Sequence, residues 1–187
     1  MKKTLLLAGV AALVANTANA EIRPYIGLDG NYSSLDWAYN GESYAEDDYQ
    51  SLSLVAGAKL HRNFGLEAFY QMSGNEKNRT NYGQDENLYV HTRFNAYGLD
   101  ALGYLPLGCE GRVELIAGAG IAEYTFKARW LGNGSGKDHS TGYRLNAGLQ
   151  YNLTDNWSLR GMYHHVYTQK SYVDAIDEYS VGIRYNF

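Results

Sequence analysis

Cysteine is almost missing: Cys109 is the single one in 187 residues. No disulfide can form within the chain, and Cys109 reads as an ordinary turn thiol, far from any lipid-attachment position. Long hydrophobic runs are missing too. Mean hydropathy is −0.42, and beyond the first twenty residues nothing approaches the eighteen or so apolar residues of a helical span, which excludes a helical membrane protein. A basic surplus is also lacking. Without Lys2 and Lys3, the 16 Lys and Arg against 20 Asp and Glu become 14 against 20, so a nucleic-acid partner, which needs a basic face, is not expected. Proline is scarce, with 2 residues, while 21 glycines, 18 tyrosines and 14% aromatics point to β structure.

Residues 1–20 read as a cleaved secretory signal: Lys2 and Lys3, an apolar run from Leu5 to Val14, and the small-residue site Ala18-Asn19-Ala20. Residues 21–187 are then one domain. Its last stretch, Tyr179 to Phe187, alternates strictly, with apolar or aromatic residues at odd positions and small or polar ones at even positions. Aromatics at both ends of the greasy row are what a bilayer-crossing strand shows. A lone strand cannot satisfy its backbone in lipid, so the pattern should recur.

It does. Ile26, Leu28, Gly30 and Tyr32 alternate with polar neighbours; so do Leu52 to Leu60, Phe64 to Met72, Val113 to Ile121, Tyr143 to Tyr151 and Trp157 to Tyr163. A fourth strand over Tyr89 to Leu105 has the least regular parity. Arg93 and Asn95 share the row of Leu99, Ala101 and Leu105, so either they stand above the membrane or a bulge shifts the register. Polar stretches from Asp36 to Tyr49, Gly74 to Asn87, Lys127 to Ser140 and Thr168 to Asp177 are the long connections, and His61-Arg62-Asn63, Pro106 to Gly111 and Thr154-Asp155-Asn156 the short turns. Eight strands joined alternately by long and short connections predict an all-β, eight-stranded antiparallel up-and-down transmembrane barrel, closed so that no edge remains.

A soluble barrel would alternate with its apolar row inside. Two features decide for the membrane. The apolar rows end in a girdle of Phe64, Tyr70, Tyr143, Tyr151, Trp157, Tyr163, Tyr179 and Tyr185. The opposite rows carry charges of both signs among glycines, including Arg144 and Glu178, and a lipid-facing Arg or Lys at mid-membrane would cost about 2–4 kcal/mol.

Tyr97-Gly98-Leu99-Asp100-Ala101-Leu102-Gly103-Tyr104-Leu105-Pro106, Leu115 to Gly120, Asn156-Trp157-Ser158-Leu159-Arg160 and the terminal Tyr185-Asn186-Phe187 resemble the small OmpA/OmpX-like outer-membrane β-barrel family of Gram-negative bacteria. The resemblance covers the whole mature chain. It implies an outer-membrane location, a monomer surrounded by outer-membrane lipid and lipopolysaccharide, and a C-terminal Phe187 read by the assembly machinery. The family includes adhesins, structural anchors and serum-resistance factors. Unlike full-length OmpA, the chain stops at its last strand, so a peptidoglycan-binding domain is not expected.

The strongest constellation is the interior charge set Asp29, Lys59, Glu67, Asp100, Glu114, Arg160 and Arg184. Closure should bring Arg184 to Asp29, and Lys59 and Glu67 lie on neighbouring strands. These charges either satisfy one another in a closed core or form a gate for small ions, which makes a small porin-like channel the alternative function. The leading expectation is a structural or adhesin-like protein whose extracellular loops meet a host or envelope ligand.

His164 and His165 near the rim invite comparison with outer-membrane lipid A deacylases, but Val166 and Tyr167 follow where that family has its serine, so no catalytic residue is assigned. Glu46-Asp47-Asp48 reads as a solvated loop rather than a metal site. Gly132 to Lys137 has the wrong spacing for a phosphate loop and reads as a flexible loop tip. No cofactor is expected. Trp37, Tyr39, Tyr44, Tyr82, Trp130 and Tyr172 are the loop aromatics that could touch a partner.

Overall fold

A strand whose side chains alternate between oil and charge needs two different environments, one per face. The computed structural model provides both. It describes residues 22–37, 48–74, 76–82, 86–108, 111–130, 134–169 and 173–187. Residues 1–21, which include the expected signal, lie outside that set, as do Cys109, Glu46 and Asp47.

The strand segments are β1 (Arg23–Trp37), β2 (Asp48–His61), β3 (Phe64–Ser73), β4 (Glu76–Tyr82), β5 (Glu86–Leu107), β6 (Val113–Trp130), β7 (Gly134–Asn152), β8 (Trp157–Gln169) and β9 (Val173–Asn186). All pairings are antiparallel. β1 pairs with both β2 and β9, and β3 with both β2 and β5, so the sheet closes on itself. β3 and β4 are successive lengths of one stave: both lie along β5, with a one-residue slip between Met72↔Asn95 and Glu76↔Thr92. The barrel therefore has eight staves.

The surface is inverted relative to a soluble protein. Leu54 and Val181 are 57% and 64% exposed, whereas Arg184 and Asp100 are each 2% exposed. Outward rows carry Leu, Ile, Val and Ala; inward rows carry charge, amide and glycine. Room for the large inward groups comes from glycines on the neighbouring strand. Asp29 lies opposite Gly182 and Asp100 opposite Gly120. A Cβ at either glycine would overlap the aspartate's carboxylate.

Two expectations need correcting. The stretch from Gly74 to Asn87 is not simply a loop, because β4 and the start of β5 run through it, paired from Glu76↔Thr92 to Tyr82↔Glu86. Lys127 to Trp130 and Gly134 to Ser140 are likewise strand, with β6 and β7 paired out to Trp130↔Gly134, so Gly134 to Lys137 is not a loop tip, while Gly132 and Asn133 lie outside the described residues. These segments are rich in polar residues and glycine, and composition alone reads such stretches as connections. The fourth stave's register is also settled: β5 pairs with β6 without a shift from Val90 to Leu107, Arg93 and Asn95 stand above the belt, and the slip lies in the adjoining stave.

Candidate functional site

Inward rows of β1, β2, β3, β5, β6, β7, β8 and β9 meet near the short-turn end of the barrel in one connected network. Arg184 grips Asp29 with both terminal nitrogens, Nη1 to Oδ1 at 2.5 Å and Nη2 to Oδ2 at 2.9 Å. Its Nε lies 3.6 Å from Glu67. Glu67 accepts from Arg160 Nη1 at 2.6 Å, and Arg160 also donates to Gln150 Oε1 through Nε and Nη2 at 3.0 and 2.8 Å. Gln150 in turn donates to Glu114, which Lys59 holds at 2.7 Å. Tyr25 and Tyr104, hydrogen-bonded to each other at 3.2 Å, place their rings beside Arg160. Lys59 thus pairs with Glu114, not with neighbouring Glu67.

Asp100 is held differently. Its partner is Arg144, whose Nε stands 3.8 Å away, while Nη2 of Arg144 is 3.6 Å from Glu178. Both gaps exceed hydrogen-bond range. The guanidinium lies 4.0 Å over the ring of Phe69, and Glu178 accepts instead from Ser33 and Gln71. Beside these groups is a cavity of about 10 Å³ lined by Asp100, Arg144, His164 and Glu178 among others, the size of one water centre.

Nearer the long-connection end the interior turns apolar. Leu35, Tyr49, Phe94, Ala96, Ala122, Tyr124, Val166 and Ile176 are all buried in one cluster, with Phe126 against it. Tyr49 meets Phe94 edge-on at 5.6 Å, and Phe126 lies 6.0 Å from Phe94. From the rim inward the barrel is therefore apolar cap, then Arg144 layer, then charged septum. Neither the cap nor the roles of Tyr25, Tyr104, Gln71 and Gln150 follow from the charge pattern. Their signal was an aromatic or amide on the inward row.

The two rim histidines face opposite ways. His164 is inside, its Nδ1 2.8 Å from Asn146 Oδ1 and its Nε2 3.1 Å from Ser180 Oγ. Local spacing shows no hydroxyl near it, yet strand pairing supplies one. This Ser–His–Asn chain has the order of a nucleophile, base and orienter; the water-sized cavity adjoins it, and its hydrogen bonds satisfy groups that are buried. His165 faces outward and contacts Asp177.

The girdle residues Phe64, Tyr70, Tyr143, Tyr151, Trp157, Tyr163 and Tyr179 are all exposed on the outer wall, with Tyr185 half-buried against Trp157 at 5.0 Å. Phe187 is exposed, its backbone N–H donating to Pro24 at 3.0 Å. Above the belt β4, β5, β6 and β7 continue as a four-stranded antiparallel sheet. Among the described residues, β4 pairs with β5 alone. Tyr39, Tyr44 and Tyr172 lie outside the described residues, as do the side chains of Trp37, Tyr82 and Trp130. Among the described residues no group of three or more His, Cys, Asp and Glu is placed to hold a metal.

The model of the outer membrane protein beta-barrel domain matches residues 4–187. No curated protein matches the chain. Among solved structures, neisserial surface protein A is similar with a TM-score of 0.62 and 18% identity, over 89% of this chain and 97% of that one. Ail, the attachment invasion locus protein of Yersinia pestis, gives 0.59 and 17%, over 90% and 99%. The N-terminal β-barrel domain of OprF from Pseudomonas aeruginosa gives 0.58 and 17%, over 87% and 97%. At such identities the likeness is one of fold.

Proposed function

We propose, since this chain belongs to the outer membrane protein beta-barrel domain family, that it is an outer-membrane surface protein with a closed interior and a partner-binding extracellular sheet. The observation that carries this reading is the continuation of β5, β6 and β7 beyond the belt. β6 runs from Tyr124 to Trp130 past its last lipid-facing aliphatic, Ile121, about 23 Å of further strand. Two hairpins paired over that length, with β4 as an edge, present backbone donors and acceptors to an extended partner. That Ail, named for attachment and invasion, has a similar fold is consistent with such a role.

A salt-bridge-gated channel is the second reading. Arg144 stands between two carboxylates it could exchange, which favours it; the apolar cap across the path opposes it.

Pull-down of extracellular-matrix proteins tests the binding reading, using the wild type and a variant with hairpin segments 77–85 and 128–136 removed. The expected result is a ligand held by the wild type and lost by the variant while the barrel stays folded. Equal capture by both would contradict it.

A further inference from the structure

The chain as a whole is acidic, yet strand register gathers cations on one face of the sheet above the belt. Lys77 and Arg79 lie on β4, Arg93 on β5, Lys127 and Arg129 on β6 and Lys137 on β7, all at odd positions. Glu76, Glu86 and Asp138 hold even positions. Pairing joins odd to odd throughout. Arg93 lies opposite Lys127 and Lys127 opposite Lys137, while Lys77 and Arg129 both lie opposite His91, and Arg79 lies opposite Tyr89. Residues directly opposite in an antiparallel pair share a face. Arg93 is exposed whereas Phe94 and Ala96 are buried, and no register shift separates Arg93 from the lipid-facing Leu99. The shared face is therefore the outer one.

This face has the layout of a platform. Tyr89, His91 and Arg93 follow one another on β5, an inner strand of the sheet, with Lys77 and Arg79 on one flank and Lys127, Arg129 and Lys137 on the other. Neighbouring strands stand about 4.8 Å apart and same-face residues of one strand about 6.8 Å apart, so the whole set falls within roughly 15 Å by 15 Å. Half of its cations are arginines, whose planar fork suits phosphate oxygens.

We infer that the outer face of this sheet binds extracellular single-stranded nucleic acid, with the phosphodiester backbone on the flanking cations and bases against the Tyr89 and His91 positions. Cations that track a backbone beside aromatic residues that stack bases are the two components such binding needs. A sulfated polysaccharide would use the charge but brings no flat base to the aromatic positions. A duplex keeps its bases stacked inside. The acidic balance of the chain argued against a nucleic-acid partner for want of a basic face, and the register supplies that face. The inference rests on the reading that the sheet stands outside the cell, but it uses the sheet's face, whereas an extended protein partner would use the backbone of its edge.

The test titrates full-length protein in phosphatidylcholine nanodiscs into a fluorescein-labelled oligothymidylate of roughly 12 nucleotides and reads Kd by anisotropy between about 50 and 200 mM salt. The double variant Arg93→Gln with Lys127→Gln is expected to bind about ten-fold more weakly, with a slope of log K against log salt shallower by about 1.4, since each phosphate contact on a single strand contributes about 0.7. Arg62→Gln with Arg112→Gln, which removes as many cations at the short turns, is expected to match wild type. Tyr89→Leu is expected to weaken binding about ten-fold and leave the slope unchanged. Capture of matrix proteins by the β5 and β6 double variant should stay at the wild-type level, which separates this inference from the edge-binding reading. No binding by the wild type at about 50 mM salt, or wild-type affinity in either the double variant or Tyr89→Leu, would overturn it. Capture of a sulfated polysaccharide in place of the oligonucleotide, or a duplex bound as tightly as the single strand, would do the same.

Discussion

Arg160 and Arg184 bind three strands' worth of carboxylates and amides between them, and each is almost wholly buried. Removing Arg160 leaves Glu67 buried with only Arg184 Nε, 3.6 Å away, as counter-charge. Arg160→Ala is expected to destabilise the protein by about 3–5 kcal/mol in urea unfolding from micelles. A loss below about 1 kcal/mol would mean that solvent reaches Glu67. Glycine is as constrained as charge here. Gly182→Ala pushes a methyl into the Asp29 carboxylate and is expected to cost about 1–3 kcal/mol. Gly161→Ala, where the nearest atom to a new Cβ is 4.0 Å away, should be close to neutral by the same measurement. Phe187 is exposed and tied down through its backbone. Deleting it is therefore expected to lower surface levels in cells while refolding in vitro proceeds, and unchanged surface levels would contradict a role in assembly.

Parity along each strand was enough to say which charges face inward. Which charge meets which was not legible, because that depends on strand tilt and stagger round the barrel. Lys59 reaches across to Glu114 instead of its neighbour Glu67 for that reason. Arg144 and Glu178, on inward rows, prove to be the surroundings of Asp100.

Strands were legible within the belt, where burial enforces alternation, and illegible above it. β4 and the upper parts of β5, β6 and β7 are hydrogen-bonded hairpins made from sequence rich in polar residues and glycine, so composition alone read them as loop. The apolar cap escaped for a related reason. Leu35, Tyr49, Phe94, Val166 and Ile176 sit on rows that are polar lower down, and a row that changes character along one strand breaks the simple two-face reading. Shortening the upper hairpins by residues 77–85 and 128–136 leaves the strand pairing of the belt in place and is expected to change unfolding free energy by less than about 1 kcal/mol in urea. A larger loss would show that the sheet helps hold the barrel closed.

At the scale of the whole molecule the two ends of the interior are closed by different means. The charged septum near the short turns satisfies itself ion by ion; the cap nearer the long connections excludes water by packing. A cavity of about 10 Å³ lies beside the Arg144 layer between them. The proposed function places partner binding on the sheet above the belt and makes a closed interior its central claim. Substituting one septum charge removes an ion pair and leaves the cap intact, so a closed barrel should stay closed. The most direct test is planar-bilayer recording of the purified wild type beside Glu67→Ala. Both are expected to leave the current at the level of the bare membrane. Stepwise conductance from the wild type would contradict a closed interior.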